Sequence, residues 1–99
     1  MCGAPDQAVA LPPGTDLTKE TVLTGRVLAD GRPVAGAFVR LLDGTGEFTA
    51  EVVASASGDF RFFAAPGTWT IRALSRSGNG EAVVTADAPG LHTAELAVA

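Results

Sequence analysis

The sequence predicts an all-β fold, a seven-stranded antiparallel sandwich with an extended N-terminal arm. Three observations point there. Phe60 and Phe62 alternate with polar or outward positions, and Trp69, Ile71 and Ala73 do the same a few residues on; this period of two marks half-buried strands. Turn signals recur nine to fourteen residues apart, at Asp30-Gly31, Asp43-Gly44-Thr45-Gly46, Ser57-Gly58, Pro66-Gly67, Ser77-Gly78-Asn79-Gly80 and Pro89-Gly90, a spacing that suits a sandwich. Once strands and turns are assigned, no stretch long enough for a helix is left.

Taken in order, residues 1–20 read as an extended arm, because Met1-Cys2-Gly3-Ala4-Pro5 and Leu11-Pro12-Pro13-Gly14 hold small residues and prolines with no period. Residues 21–99 form the domain. Its first strand, 21–29, turns Leu23, Gly25 and Val27 inward, with Gly25 leaving room for an aromatic ring. Pro33 is expected to block sheet pairing before the second strand, 36–42, whose inward residues are Ala37, Val39 and Leu41. The third, 48–55, points Phe48, Ala50, Val52 and Ala54 inward, and the fourth, 59–64, points Phe60 and Phe62. The fifth, 68–75, contributes Trp69, Ile71 and Ala73. Ala82 and Val84 come from 81–86, then Ala94, Leu96 and Val98 from 92–98, with Gly78-Asn79-Gly80 as the hairpin turn between the fifth and sixth strands. Large rings facing alanines suit a thin sandwich. On this reading Trp69→Ala is among the most damaging changes, at roughly 3–5 kcal/mol.

Composition narrows the function. Ninety-nine residues with 46% apolar content make one ordered domain. A net charge of −4 and a pI near 4.7 give no basic footprint for nucleic acid or for an anionic membrane surface. No apolar run approaches a membrane span, and no signal peptide is read at the N-terminus. One cysteine forms no internal disulfide, which suits a reducing cytoplasm. No cofactor is expected. His92, the single histidine, cannot build a zinc site with one cysteine, and it reads as a surface residue at a strand edge.

The outward parity is more telling. Phe38, Arg40 and Leu42 share one outer face; Arg61 and Phe63 share another, Arg72 and Leu74 a third, and Val22, Arg26 and Leu28 a fourth. Arginine interleaved with phenylalanine and leucine is the composition of a protein contact surface. The contact candidates are therefore Phe38, Arg40, Arg61, Phe63, Arg72 and Leu74, facing another protein or a second copy of the chain. Parity leaves open whether they form one patch or two.

Gly25-x-Val27, Pro33-Val34-x-Gly36-Ala37-x-Val39-x-Leu41, Gly58-x-Phe60-x-Phe62 and Pro66-Gly67-x-Trp69-x-Ile71 resemble the carboxypeptidase regulatory-like module, a prealbumin-like sandwich. Trp69 stands where that family usually has tyrosine. The resemblance implies a structural or binding role, mostly without catalysis. Some prealbumin-like proteins hydrolyse 5-hydroxyisourate, an activity the resemblance ties to several histidines and a C-terminal Tyr-Arg-Gly-Ser. This chain has no tyrosine, one histidine, and ends Leu96-Ala97-Val98-Ala99, so that activity is set aside.

Met1-Cys2-Gly3-Ala4-Pro5, Asp16-Leu17-Thr18-Lys19-Glu20-Thr21-Val22, Phe38-Val39-Arg40-Leu41-Leu42-Asp43 and Glu47-Phe48-Thr49-Ala50-Glu51-Val52-Val53 also resemble the SseC-like family of actinobacteria. Its members are small proteins encoded beside a rhodanese-type thiosulfate sulfurtransferase. The resemblance implies an accessory protein of sulfur metabolism that docks on that enzyme. An alternative is a sulfur carrier: with Met1 removed, the Cys2 thiol would sit beside an ammonium that favours thiolate, and it could accept a persulfide sulfur. A ligand- or glycan-binding module is a third reading, weaker because the aromatics of regular parity mostly point inward.

Overall fold

The computed structural model describes residues 14–99 and is all β. Eight strands run in order: β1 Thr21–Ala29, β2 Arg32–Pro33, β3 Phe38–Leu42, β4 Phe48–Val53, β5 Asp59–Ala64, β6 Gly67–Ser75, β7 Gly78–Ala86 and β8 Gly90–Ala97. They form two four-stranded sheets. In the first, β1 is central: β8 lies along one edge, while β5 and the short β2 share the other. The second has the order β4-β3-β6-β7. The sandwich expected from the sequence is present, with one extra two-residue strand. Its pairings are antiparallel except for β1 with β8, which run parallel from Thr21 opposite Gly90 to Leu28 opposite Ala97.

Between the sheets lie Leu23 and Val27 of β1, Phe60 and Phe62 of β5 and Leu96 of β8. Facing them are Val39 and Leu41 of β3, Val52 of β4, Ile71 and Ala73 of β6 and Ala86 of β7, all buried. The Phe60 and Phe62 rings are tilted, with centroids 6.2 Å apart. No buried side-chain polar atom among the described residues lacks a partner, as a well-formed interior requires.

Two turns differ from expectation, each for a local reason. Pro33 does enter the sheet, opposite Leu28. The Val34 amide donates to the Val27 carbonyl at 2.9 Å, which makes Leu28–Pro33 a pair that exchanges no hydrogen bonds. Pro33 therefore has no donor to lose. Asp30 (φ 51°) and Gly31 (φ 76°) close this hairpin, both with the positive φ a two-residue type I′ turn demands. The hairpin between β6 and β7 turns at Arg76-Ser77, and Gly78-Asn79-Gly80 belong to β7. Glycine is used there for proximity: a Cβ on Gly78 would overlap Ala99, and one on Gly80 would overlap the Ala97 carbonyl.

The inward faces also shift in places. Phe48 points out. Leu42 pairs with Phe48 while Leu41 pairs with Ala50, so Thr49 is an extra residue in a β-bulge. One added residue inverts the parity beyond it and puts Phe48 on the same side as Leu42. Trp69 is only half-buried. It packs against the core from the end of β6, and its indole N–H donates to the Ala65 carbonyl at 2.9 Å. Three hydrophobic residues outside the expected inward set, Val22, Leu42 and Ala86, are buried, as are Thr21, Asp59 and Arg61.

Gly25 is the tightest point. A Cβ there would run into the Ala94 carbonyl of β8 and stand 2.7 Å from Cζ of Phe60. Phe60, fully buried where Trp69 is not, replaces Trp69 as the most sensitive ring. Phe60→Ala should cost about 3–5 kcal/mol and Trp69→Ala clearly less, as read by urea denaturation. Gly25→Ala should lower the denaturation midpoint by at least as much as Phe60→Ala, since both obstructing groups lie in packed strands.

Asp43 anchors the turn between β3 and β4. Its carboxylate accepts from the Thr45 hydroxyl at 2.6 Å and from the amides of Thr45 and Glu47 at 2.9 and 3.1 Å. These bonds, the hydroxyl first, hold its carboxyl below the ordinary value of 3.8. A folded value below the unfolded one adds stability at pH above 3.8, and that stability is lost as pH falls through the folded value. The stability gap between wild type and Asp43→Asn should therefore be full at neutral pH and close in acid, as read by denaturation across a pH series.

Candidate interaction surface

Antiparallel pairing places residues that lie opposite one another on the same face, so the register of the second sheet assembles its outer surface row by row. One row reads Val53, Phe38, Leu74 and Asn79 across β4, β3, β6 and β7. The next reads Glu51, Arg40, Arg72 and Glu81. A third reads Phe48, Leu42, Thr70 and Val83. The face is thus a charged row flanked by two rows rich in apolar side chains.

Within the charged row the two arginines stand side by side, and each is neutralised from its outer flank. Arg40 Nε donates to Glu51 Oε2 at 2.6 Å, and Arg72 Nη2 donates to Glu81 Oε2 at 3.2 Å. All four side chains keep substantial exposure, so each pair is worth only about 0.2–1 kcal/mol. Their main effect is geometric. The carboxylates hold the guanidinium groups along the sheet, between the apolar rows.

The apolar rows are partly open to solvent, with Leu42 buried and Leu74 half-buried. Phe38 is 50% exposed, Val53 41%, Phe48 60% and Val83 69%; these are four of the seven large hydrophobic side chains exposed among the described residues. Four exposed large apolar side chains on one sheet face make it the candidate interaction surface.

Phe38, Arg40, Arg72 and Leu74 therefore come together here. Arg61 and Phe63 lie elsewhere, on the outer side of the first sheet, so the candidates make two patches. Phe63 is exposed and pairs with Val22, which pairs on its other side with exposed Leu91. Arg61 is buried and already engaged in an interaction, which removes it as an open contact residue. Val22, expected on an outer face, is buried as well. Cys2, the candidate sulfur acceptor, lies outside the described residues. His92 places Nε2 2.9 Å from the Ala88 carbonyl, and no group of three or more His, Cys, Asp or Glu able to hold a metal occurs among the described residues.

Sequence reasoning missed Val53, Val83 and Phe48. The first two were available, since the parity that turns Val52 and Val84 inward turns their neighbours outward. Phe48 was hidden by the bulge.

A model of the family described as "Protein of unknown function (DUF1416)" matches residues 2–98. The chain belongs to that family. Two uncharacterized proteins of Mycobacterium tuberculosis are each 62% identical over 99 residues, with 99% of both chains covered. An uncharacterized protein of Mycolicibacterium smegmatis is 64% identical over 90 residues, 90% of this chain and all of that one. Among solved structures, a DUF3823 family protein from Parabacteroides merdae aligns with a TM-score of 0.63 at 16% identity, over 80% of this chain but only 45% of its own. The dioxygenase domain of a dioxygenase and carbohydrate-binding protein fusion from a cellulolytic Streptomyces gives 0.58 at 14% identity, over 98% of each chain. At such identities the likeness is one of fold. A shared fold leaves function open, so function has to be argued from the surface.

If the outer face is a binding surface and carries no part of the core, it should tolerate polar substitution. Phe48→Ser and Val83→Ser should each shift unfolding free energy by no more than about 0.5 kcal/mol, measured by denaturant titration.

Proposed function

We propose that this DUF1416 protein is a noncatalytic accessory protein of sulfur metabolism that docks on a rhodanese-type thiosulfate sulfurtransferase in the cytoplasm. The docking surface is the outer face of the β4-β3-β6-β7 sheet. The observation that carries the docking is the exposure of Phe38, Phe48, Val53 and Val83 on one sheet face, in the rows either side of Arg40 and Arg72. The choice of partner rests on the resemblance to the SseC-like proteins.

Chemically the face suits a flat apolar counterpart. Phe38 and Phe48 supply area to bury, and Arg40 and Arg72 supply planar donors whose hydrogen bonds to a carboxylate or carbonyl fix orientation. Because each arginine already has a glutamate beside it, the row is neutral in sum. Association should then depend only weakly on salt, unlike a contact steered by net charge.

The test is co-elution of the purified protein with the sulfurtransferase of its own organism at roughly micromolar concentration. Complex formation should survive Cys2→Ser, which separates docking from sulfur transfer through that thiol. It should weaken about tenfold or more with Phe38→Asp or Val83→Asp, variants that leave the core intact. Failure of the wild-type pair to associate would end the reading.

A further inference from the structure

An edge strand offers unpaired amide and carbonyl groups to any strand that can lie beside it, and soluble proteins usually blunt such edges with lysine, proline or a covering segment. Some edges of this sandwich are blunted, while among the described residues β4, β8 and β7 from Glu81 onward have no strand beside their outer side; of these strands only β4 holds no lysine, proline or glycine. β2 carries Arg32 and Pro33. At the outer edge of β7, Asn79 exchanges hydrogen bonds with Ala99 at 3.4 and 3.3 Å. On β5 every residue from Asp59 to Phe62 is buried. β4 is different. Its sequence, Phe48-Thr49-Ala50-Glu51-Val52-Val53, holds no lysine, proline or glycine, and most of it is exposed. Among the described residues no strand lies on its far side.

The groups presented there can be identified. The Ala54 amide donates to the Ala37 carbonyl at 2.8 Å, so Ala37–Ala54 is a hydrogen-bonded pair in the register that places Phe38 opposite Val53 and Arg40 opposite Glu51. Bonded and non-bonded pairs alternate. Val52 and Ala50 therefore direct their backbone groups toward β3, while Glu51 and Val53 direct theirs away from the sheet.

We propose that β4 pairs antiparallel with β4 of a second copy of this chain, about a two-fold axis beside Val52, joining the two β4-β3-β6-β7 sheets into one. In this register Glu51 of each copy lies opposite Val53 of the other. Each such pair exchanges two backbone hydrogen bonds, so all four outward groups of both strands are satisfied. Every side chain meets one of the same face, since Glu51 and Val53 both point outward. Of the two neighbouring registers with matching faces, one sets Glu51 against Glu51 and is disfavoured by like charge; the other sets Val53 against Val53 and Glu51 against Ser55, whose amide already bonds the Asp59 carbonyl. The one charge on the strand is already neutralised by Arg40, 2.6 Å away, and presents no barrier to a second copy. A two-fold, self-complementary contact is the commonest route to a closed dimer. The proposal is independent of the docking partner, because joining edges leaves both outer faces open.

Sedimentation velocity of the full chain at submillimolar concentration should show a species of twice the 10.0 kDa chain mass. Val53→Pro removes a donor that bonds nothing within the chain, and by symmetry two of the four hydrogen bonds between copies. It should weaken the dimer about tenfold or more. Should that variant fail to fold, a cysteine trap decides. With Cys2→Ser as background, Val52→Cys should form an intermolecular disulfide on mild oxidation, because non-bonded pairs sit about 4.5 Å apart at Cα, inside the disulfide range of about 4.4–6.8 Å. Val83→Cys should not. A monomeric wild type, a dimer indifferent to Val53→Pro, or an absent Val52→Cys crosslink overturns the proposal. None of these outcomes touches the docking reading, which needs only one copy's outer face.

Discussion

The ring of Phe60 lies against the bare α-carbon of Gly25, and the first sheet depends on that approach. β1 is hydrogen-bonded along both edges, to β5 on one side and β8 on the other. A methyl group at Gly25 would strike the Ala94 carbonyl and the Phe60 ring together. Omitting it allows β8 to close on β1 and leaves room for the Phe60 ring, which is fully buried. Phe62 and Leu23 complete that layer, and the alanines and valines of the second sheet fit beneath it. One side contributes the rings of Phe60 and Phe62 and the other Leu41, Ile71 and smaller valines and alanines, which together fill the space between the sheets.

Most of this was legible in the chain. Alternation at Phe60, Phe62 and Ile71 located strands and faces together, since side chains in a strand have only two directions to take. Glycine at position 25, inside a strand, signalled a close approach in the same way. What escaped was anything set by pairing between distant segments. The bulge at Thr49 is visible only once Leu42 is known to face Phe48. The use of Gly78 and Gly80 depends on where Ala97 and Ala99 pass. Pro33 looked like a barrier because its neighbour across the hairpin could not be known. The surface shared this fate: alternation sorted residues into inside and outside, yet only strand order shows that Phe38 and Arg72 are neighbours while Arg61 belongs to the other sheet.

The outer face of the second sheet balances two demands. Its apolar side chains suit binding but invite nonspecific association in a protein exposed to water. The Glu-Arg-Arg-Glu row crosses the middle of that area and breaks it into two strips. Because the row neutralises itself, it adds polarity without adding net charge, and the chain's overall −4 is carried elsewhere. Polarity of this kind limits the size of any continuous greasy area while leaving both strips available to a matching surface.

The parallel pairing of β1 with β8 has a consequence for how the protein comes into being. Thr21 lies opposite Gly90, so β1 waits for β8, about seventy residues on, before its sheet can close. The hairpins of the second sheet, being local, can form earlier, while contacts between distant segments are slow to find. Until β8 has been made, β1 has one open side, and the nascent chain is exposed to chaperones and to proteolysis during that interval.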